Sequence, residues 1–122
     1  MLPRQRPELR RGRIIWAVLA DSRGHLKRRP CIVLTPTDEI DPQGNVSVMA
    51  ISTSFPAPPP VGYVELPWHN DKRRVPTRLS QRSAAVVNWL CSLHPDEIDE
   101  LAGDVPPRKM IEILEQLDRL LR

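Results

Sequence analysis

Short apolar blocks separated by turn-forming residues predict five strands followed by helix. Residues 13–20 (Arg13-Ile14-Ile15-Trp16-Ala17-Val18-Leu19-Ala20) are rich in branched and aromatic side chains and read as the first strand. Turn chemistry in Asp21-Ser22-Arg23-Gly24-His25 follows, and the basic run Lys27-Arg28-Arg29 enters a continuous apolar run over residues 30–35. A continuous run bounded by prolines reads as a buried strand, so the two segments predict a long hairpin with a basic tip. Residues 46–53 alternate as a third strand whose far end turns hydroxylic at Ser52 and Thr53. A proline-rich connection over residues 55–60 leads to a fourth strand over 61–66. Residues 83–93 read as a long fifth strand, with a helix as the competing assignment.

Helical signals dominate the rest. Pro95 and the acids after it, with Gly103 beyond, have the asymmetry of a short helix over residues 95–101. Met110, Ile113, Leu114, Leu117, Leu120 and Leu121 recur at helical spacing, so residues 108–121 form an amphipathic helix with its stripe in the core. Strands first and helices last indicate a mainly β domain: a small barrel or strongly bent sheet of about five strands with a terminal helix on one side. Residues 1–11 are polar, basic and proline-bearing and read as a flexible basic arm, leaving residues 12–122 as a single domain.

The stretch Arg29-Pro30 stands out. Proline lacks an amide proton and disfavours helix in the residue before it, so Arg29 is held extended, at the mouth of the second strand on this reading. A cation so placed can face a phosphate.

Composition narrows the partners. The chain of 122 residues is 40% hydrophobic, enough for one core, and holds one Phe, one Tyr and three Trp, which argues against an aromatic base-stacking platform. Trp16, Trp68 and Trp89 are assigned to core or subunit contacts. Cys31 and Cys91 lie in apolar runs and read as buried thiols of a reducing compartment. There is no metal-ligating motif, no cofactor motif and no run near the ~20 apolar residues that cross a bilayer, so a cytoplasmic protein without membrane contact is expected. The net charge is only +3, but it is polarised: residues 1–36 carry +7, residues 37–93 balance, and residues 94–122 carry −4. Such a molecule can steer a polyanion to its basic half.

Several short motifs, in this order, resemble the PemK/MazF family of toxins. They are Arg11-Gly12 before a strand, Gly24 and then Lys27-Arg28-Arg29-Pro30, Ala50-Ile51-Ser52-Thr53, Val64-Glu65-Leu66-Pro67, and a late Gly103 before a helix. The resemblance implies an SH3-like barrel with a C-terminal helix. It also implies a homodimer that cleaves mRNA as an endoribonuclease and is neutralised by a cognate antitoxin. It makes Arg29 and Ser52 the catalytic pair. The family more often has threonine at the second position, so Thr53 stands as the rival. Trp89-Leu90-Cys91 replaces the family's Gln-Ile-Arg-like run, and Arg13 replaces an acid. The cations of the hairpin tip and of the loop after the fourth strand (Arg23, His25, Lys27, Arg28, Lys72 and Arg73) are the candidate RNA contacts.

The chemistry itself points the same way. Metal-free RNA cleavage requires deprotonation of the 2′-hydroxyl, neutralisation of charge on phosphorus and protonation of the departing 5′-oxygen. Arginine suits the second task, being a planar fork of donors and a poor base. Ser52 or Thr53 suits positioning. Read without the resemblance, Arg29 solvates a hairpin mouth or pairs with Glu65, and the two hydroxyls cap a strand. The alternative function is therefore a non-catalytic barrel module that binds RNA or a partner peptide.

Overall fold

The structure, a computed structural model, describes residues 9–122. Its strands are β1 (Arg13–Ala20), β2 (Leu26–Val33), β3 (Val46–Ser52), β4 (Tyr63–Leu66), β5 (Ser83–Leu93) and β6 (Glu100–Asp104), followed by the helix α1 (Pro107–Leu120). They form one antiparallel sheet of six strands in the order β4-β5-β3-β2-β1-β6. The class is the expected one: a mainly β, strongly bent sheet with one terminal helix. The bend is built into β5. Its residues pair with β3 as Met49↔Leu90 and then as Ile51↔Ala85, so a bulge lies between those rungs.

Two cores occupy the two faces of the sheet. Ile14, Ile32, Met49 and Ile51 point to the face covered by Met110 and Ile113 of α1. Ile15, Ala17, Cys31, Val33, Val48 and Ala50 point to the other face, closed over by Leu9, Ile40, Trp89 and Ile98. Burial on both sides explains why β2 reads as a continuous apolar run instead of an alternating one.

Two expectations change. Residues 95–101 do not make a helix: a single 3₁₀ turn, Pro95–Glu97, capped by the His94 imidazole, is followed by β6. Gly103, expected beyond the end of a helix, lies inside that strand. A Cβ there would sit 1.8 Å from the Pro76 carbonyl oxygen, so only glycine admits the backbone that approaches it. The amides of Gly103 and Asp104 donate to the carbonyls of Thr77 and Pro76 at 3.1 and 2.9 Å. The connection between β4 and β5 thus lies against the edge of β6 and draws the two ends of the sheet together. The helical stripe is also shorter than its pattern: Leu120 and Leu121 are 52% and 70% exposed.

The arm expected over residues 1–11 lies outside the described residues as far as residue 8. Leu9 is buried, Arg10 pairs with Asp104 at 2.7 Å, and the Arg11 side chain donates to the Leu34 carbonyl at 2.7 Å.

Candidate active site

The site begins with an amide that is missing. The Leu34 amide donates to the Ser47 carbonyl at 2.8 Å, and by strand alternation the amide positions of Ile32 and Pro30 face β3 as well. Proline has no proton to give, so the β2–β3 ladder stops at the Cys31↔Ala50 rung while β2 stays paired to β1 back to Leu26. Arg29 therefore sits in mid-strand with respect to β1 instead of at the strand's mouth, and at the mouth only with respect to β3. Continued in the same register, the next rung would pair Pro30 with Ile51, and the one after it would set Arg29 across from Ser52.

Side-chain direction follows from the same pleat. Ala50 belongs to the core shared with Cys31, so Ser52 and Arg29, each two residues away along its strand, share that face, while Thr53 lies just beyond the end of β3. The Ser52 Oγ donates to the Ser54 carbonyl at 3.0 Å and accepts from the Ser54 amide at 3.2 Å. Its proton must be redirected before it can donate to a ligand.

A cleft of about 290 Å³ opens where the ladder stops. Lys27, Arg28 and Arg29 line it from β2, Ser52 and Thr53 from the end of β3, and Ser80 and Gln81 from the loop before β5. Both catalytic candidates are brought together here. Arg29 is held on three sides. Its guanidinium carbon lies 4.8 Å from the centre of the Trp89 ring, its Nε donates to the Leu19 carbonyl at 3.4 Å, and Nη2 is 3.8 Å from Asp21. Glu65, the partner considered from sequence, instead pairs with Arg82 at 3.5 Å.

Asp21 also organises the hairpin tip. One of its carboxylate oxygens accepts from the amides of Arg23 and His25, both at 2.9 Å, across a turn whose Gly24 has φ +82°. The His25 amide bond, with lesser help from Arg23, the His25 ring and Arg29, holds the Asp21 carboxyl below its usual range.

Arg28 points to the opposite face, 4.6 Å over the Trp16 ring, and is bonded to Asp99 and, at 3.0 Å, to Glu100. The Asp99 bond holds its pKa above the ordinary arginine value. Trp16 and Trp89, assigned from sequence to core or subunit contacts, are thus also platforms for successive arginines of β2.

A second cavity of about 380 Å³ shares Trp16, Arg28 and Ser80 with the first. Lys72, Arg73 and Arg78 line it. Arg73 is tied to Asp71 at 3.0 Å, whose carboxyl it holds below the usual range. Arg23 and His25 sit at the hairpin tip and line neither of these two cavities. Sequence reasoning missed Ser80, Gln81 and Arg78. Arg78 has φ +59°, a conformation for which glycine or asparagine would be the usual signal, so nothing in the sequence marked it. Among the described residues no group of three or more His, Cys, Asp or Glu is placed to hold a metal ion, and no helix is long and apolar enough to cross a membrane.

A bent antiparallel sheet with one C-terminal helix, and a cation-lined cleft where the β2–β3 ladder breaks, define a recognisable class of small β protein. The chain belongs to the PemK-like, MazF-like toxins of type II toxin-antitoxin systems, whose family profile matches residues 10–121. It is similar in fold to MazF from Deinococcus radiodurans, at 22% identity and a TM-score of 0.71, over 93% of this chain and 96% of that one. It is likewise similar to a mycobacterial endoribonuclease in complex with its cognate antitoxin, at 16% identity and a TM-score of 0.70, over 93% and 94%. The Mycobacterium tuberculosis toxin MazF-mt6 aligns at 18% identity and a TM-score of 0.65, over 89% and 95%. A search of curated proteins finds no match.

Proposed function

We propose that this toxin is an endoribonuclease that cleaves single-stranded RNA, mRNA included, without a metal ion. The observation that carries the reading is the gap opened by Pro30, with Arg29 and Ser52 on one face at its two sides. In this mechanism the 2′-hydroxyl gives its proton to solvent as its oxygen attacks the adjoining phosphorus, the bond to the 5′-oxygen breaks and that oxygen takes a proton from solvent, leaving a 2′,3′-cyclic phosphate and a 5′-hydroxyl. Arg29 neutralises the charge that gathers on the phosphoryl oxygens, and Ser52 Oγ orients the 2′-hydroxyl or a phosphate oxygen. Lys27 and Arg28 hold neighbouring phosphates. The reading includes a cytoplasmic homodimer; the polarised charge and the endoribonuclease–antitoxin complex among its structural relatives support a cognate antitoxin that covers the basic face with an acidic segment.

The test is incubation of the purified protein with a long single-stranded RNA in EDTA, with the product ends mapped. Fragments ending in a cyclic or 3′-phosphate are expected, and a strict requirement for magnesium overturns the reading. One observation favours the alternative, a barrel module that binds RNA or a peptide without cutting it: no carboxylate or imidazole is among the described residues lining the cleft. Stable RNA binding with no fragments would select that alternative. Sedimentation as a monomer at micromolar concentration, with cleavage intact, would overturn the dimer.

A further inference from the structure

We infer that the second cavity is a separate phosphate subsite for the RNA backbone, with Arg78 as its gripping residue; the inference rests on the reading of the protein as RNA-binding. Arg78 holds an unusual backbone. A non-glycine residue at φ +59° carries a conformational cost, tolerated where the surroundings fix it. Here the surroundings are explicit. Thr77 just before it is fully buried, donates to the Pro67 carbonyl at 2.6 Å and lies on the carbonyl pair that binds β6, while Leu79 just after it is in the core. The chain between these anchors turns the Arg78 side chain into the cavity.

The guanidinium is aimed and makes no close ion pair. Nη1 donates to the Arg73 carbonyl at 2.9 Å, which fixes its plane, and among the described residues no carboxylate lies within ion-pair distance of it, the Asp71 carboxylate acting on it only from farther off. The other charges of the cavity are accounted for differently. Glu100 is bonded to Arg28, and Arg73 to Asp71, while Lys72 has no ion pair among the described residues. The monoanionic phosphodiester of an RNA backbone in this cavity would thus meet donors on Arg78 and the Lys72 ammonium. The cavity adjoins the cleft, sharing Trp16, Arg28 and Ser80 with it, which is the placement expected if a strand with one phosphate at Arg29 lays another here. No base edge is read, so the subsite adds affinity without sequence preference.

The test uses a labelled, mixed-sequence single-stranded RNA with 2′-O-methyl sugars, which binds but cannot be cut, and fluorescence anisotropy over a series of salt concentrations. Arg78→Gly is the informative variant, because glycine takes positive φ without strain and so keeps the fold. It is expected to weaken binding about fivefold at low salt and to reduce the slope of log affinity against log salt by about 0.7, one phosphate contact's share on a single strand. Arg78→Lys should recover part of the loss. Arg74→Gln removes an exposed cation of the same loop that does not line the cavity, and should change neither quantity. Unchanged affinity and slope in Arg78→Gly, or an equal loss in Arg74→Gln, overturns the subsite and leaves the ribonuclease reading standing. Binding that depends on Arg78, with no cleavage of unmodified RNA, upholds the subsite and overturns the ribonuclease. Failure of the wild-type protein to bind the RNA overturns both.

Discussion

Arg29 is stacked on Trp89, its guanidinium carbon 4.8 Å from the ring centre, and the indole N–H is itself tied to the Ala20 carbonyl at 3.2 Å. The ring is therefore fixed to the end of the strand that pairs with β2, and it fixes the plane of the cation in turn. Trp89→Leu should slow RNA cleavage by roughly tenfold to a hundredfold, the range expected when a catalytic group loses its orientation. Trp89→Phe keeps a ring under the guanidinium and should restore most of the rate. Single-turnover cleavage of both variants checks this; equal defects would show that packing, not stacking, is what Trp89 supplies.

The arginines on the two faces of β2 should separate cleanly. Arg29→Ala is expected to lose about 10²–10³ in single-turnover rate, the loss typical of removing one donor to a developing oxyanion. Arg28→Ala should lose less than about tenfold, because Arg28 is already bound to Asp99 and Glu100 and, on the proposed reading, only holds a neighbouring phosphate. Equal losses would point to a diffuse basic patch.

Ser52 is the last residue of β3 and shares the Arg29 face, whereas Thr53 lies beyond the strand, so Ser52 is expected to be the one that matters. Ser52→Ala should lose about a hundredfold in rate and Thr53→Ala little. The reverse result would move the register by one residue.

The motif Arg29-Pro30 was legible because proline's two local effects, on its neighbour's conformation and on its own missing donor, act wherever it sits. Which neighbouring strand would lose a rung depends on ladder parity, and that is set only when β3 pairs with β2. The first five strands were legible from their branched runs. β6 was not: Glu100-Leu101-Ala102-Gly103-Asp104 has no strand pattern and is held by pairing to β1 and to residues 76 and 77. Acids after Pro95 signalled a helix start, but only one turn of it forms before the chain is captured as a sheet edge. The long-range partners of Arg28 and Arg29 were invisible for the same reason, since Asp99 and Trp89 lie far along the chain from them.

Gly103 should be the least replaceable glycine tested. Its missing Cβ would meet Pro76 and Thr77 backbone, which has no rotamer by which to move. Gly103→Ala is expected to cost about 3 kcal/mol, the upper part of the range for overpacking, and to loosen the loop that carries Arg78, Ser80 and Gln81. Gly44→Ala is the control: its new methyl would lie 3.5 Å or more from Asp41, an ordinary contact, and should change stability by less than about 0.5 kcal/mol. Urea unfolding midpoints decide between them.

The thiols give a pH dependence with a definite sign. Cys31 is fully buried among Ile15, Val33 and Ala50, and burial, with a smaller contribution from Cys91, pushes its pKa from 9.0 up to about 12. β3 lies between the strands that carry the two cysteines, and Cys31 pairs with Ala50 while Cys91 pairs with Val48, which sets their backbones roughly 12 Å apart, too far for a disulfide. As pH rises past 9 the unfolded chain releases the Cys31 proton while the folded chain keeps it. Folding then binds a proton, and stability falls with pH between about 9 and 12, by at most about 1.4 kcal/mol per unit from this group. Other groups titrate in the same window, so the measurement is a difference. Urea unfolding of wild type and Cys31→Ala is compared from pH 8 to 11, and the wild-type advantage should be constant below 9 and shrink above it. A constant advantage across the whole range would mean that the native thiol ionises as readily as the unfolded one. In the native protein a maleimide at pH 8 should then label Cys91, which is half-buried, and leave Cys31 untouched until the chain unfolds.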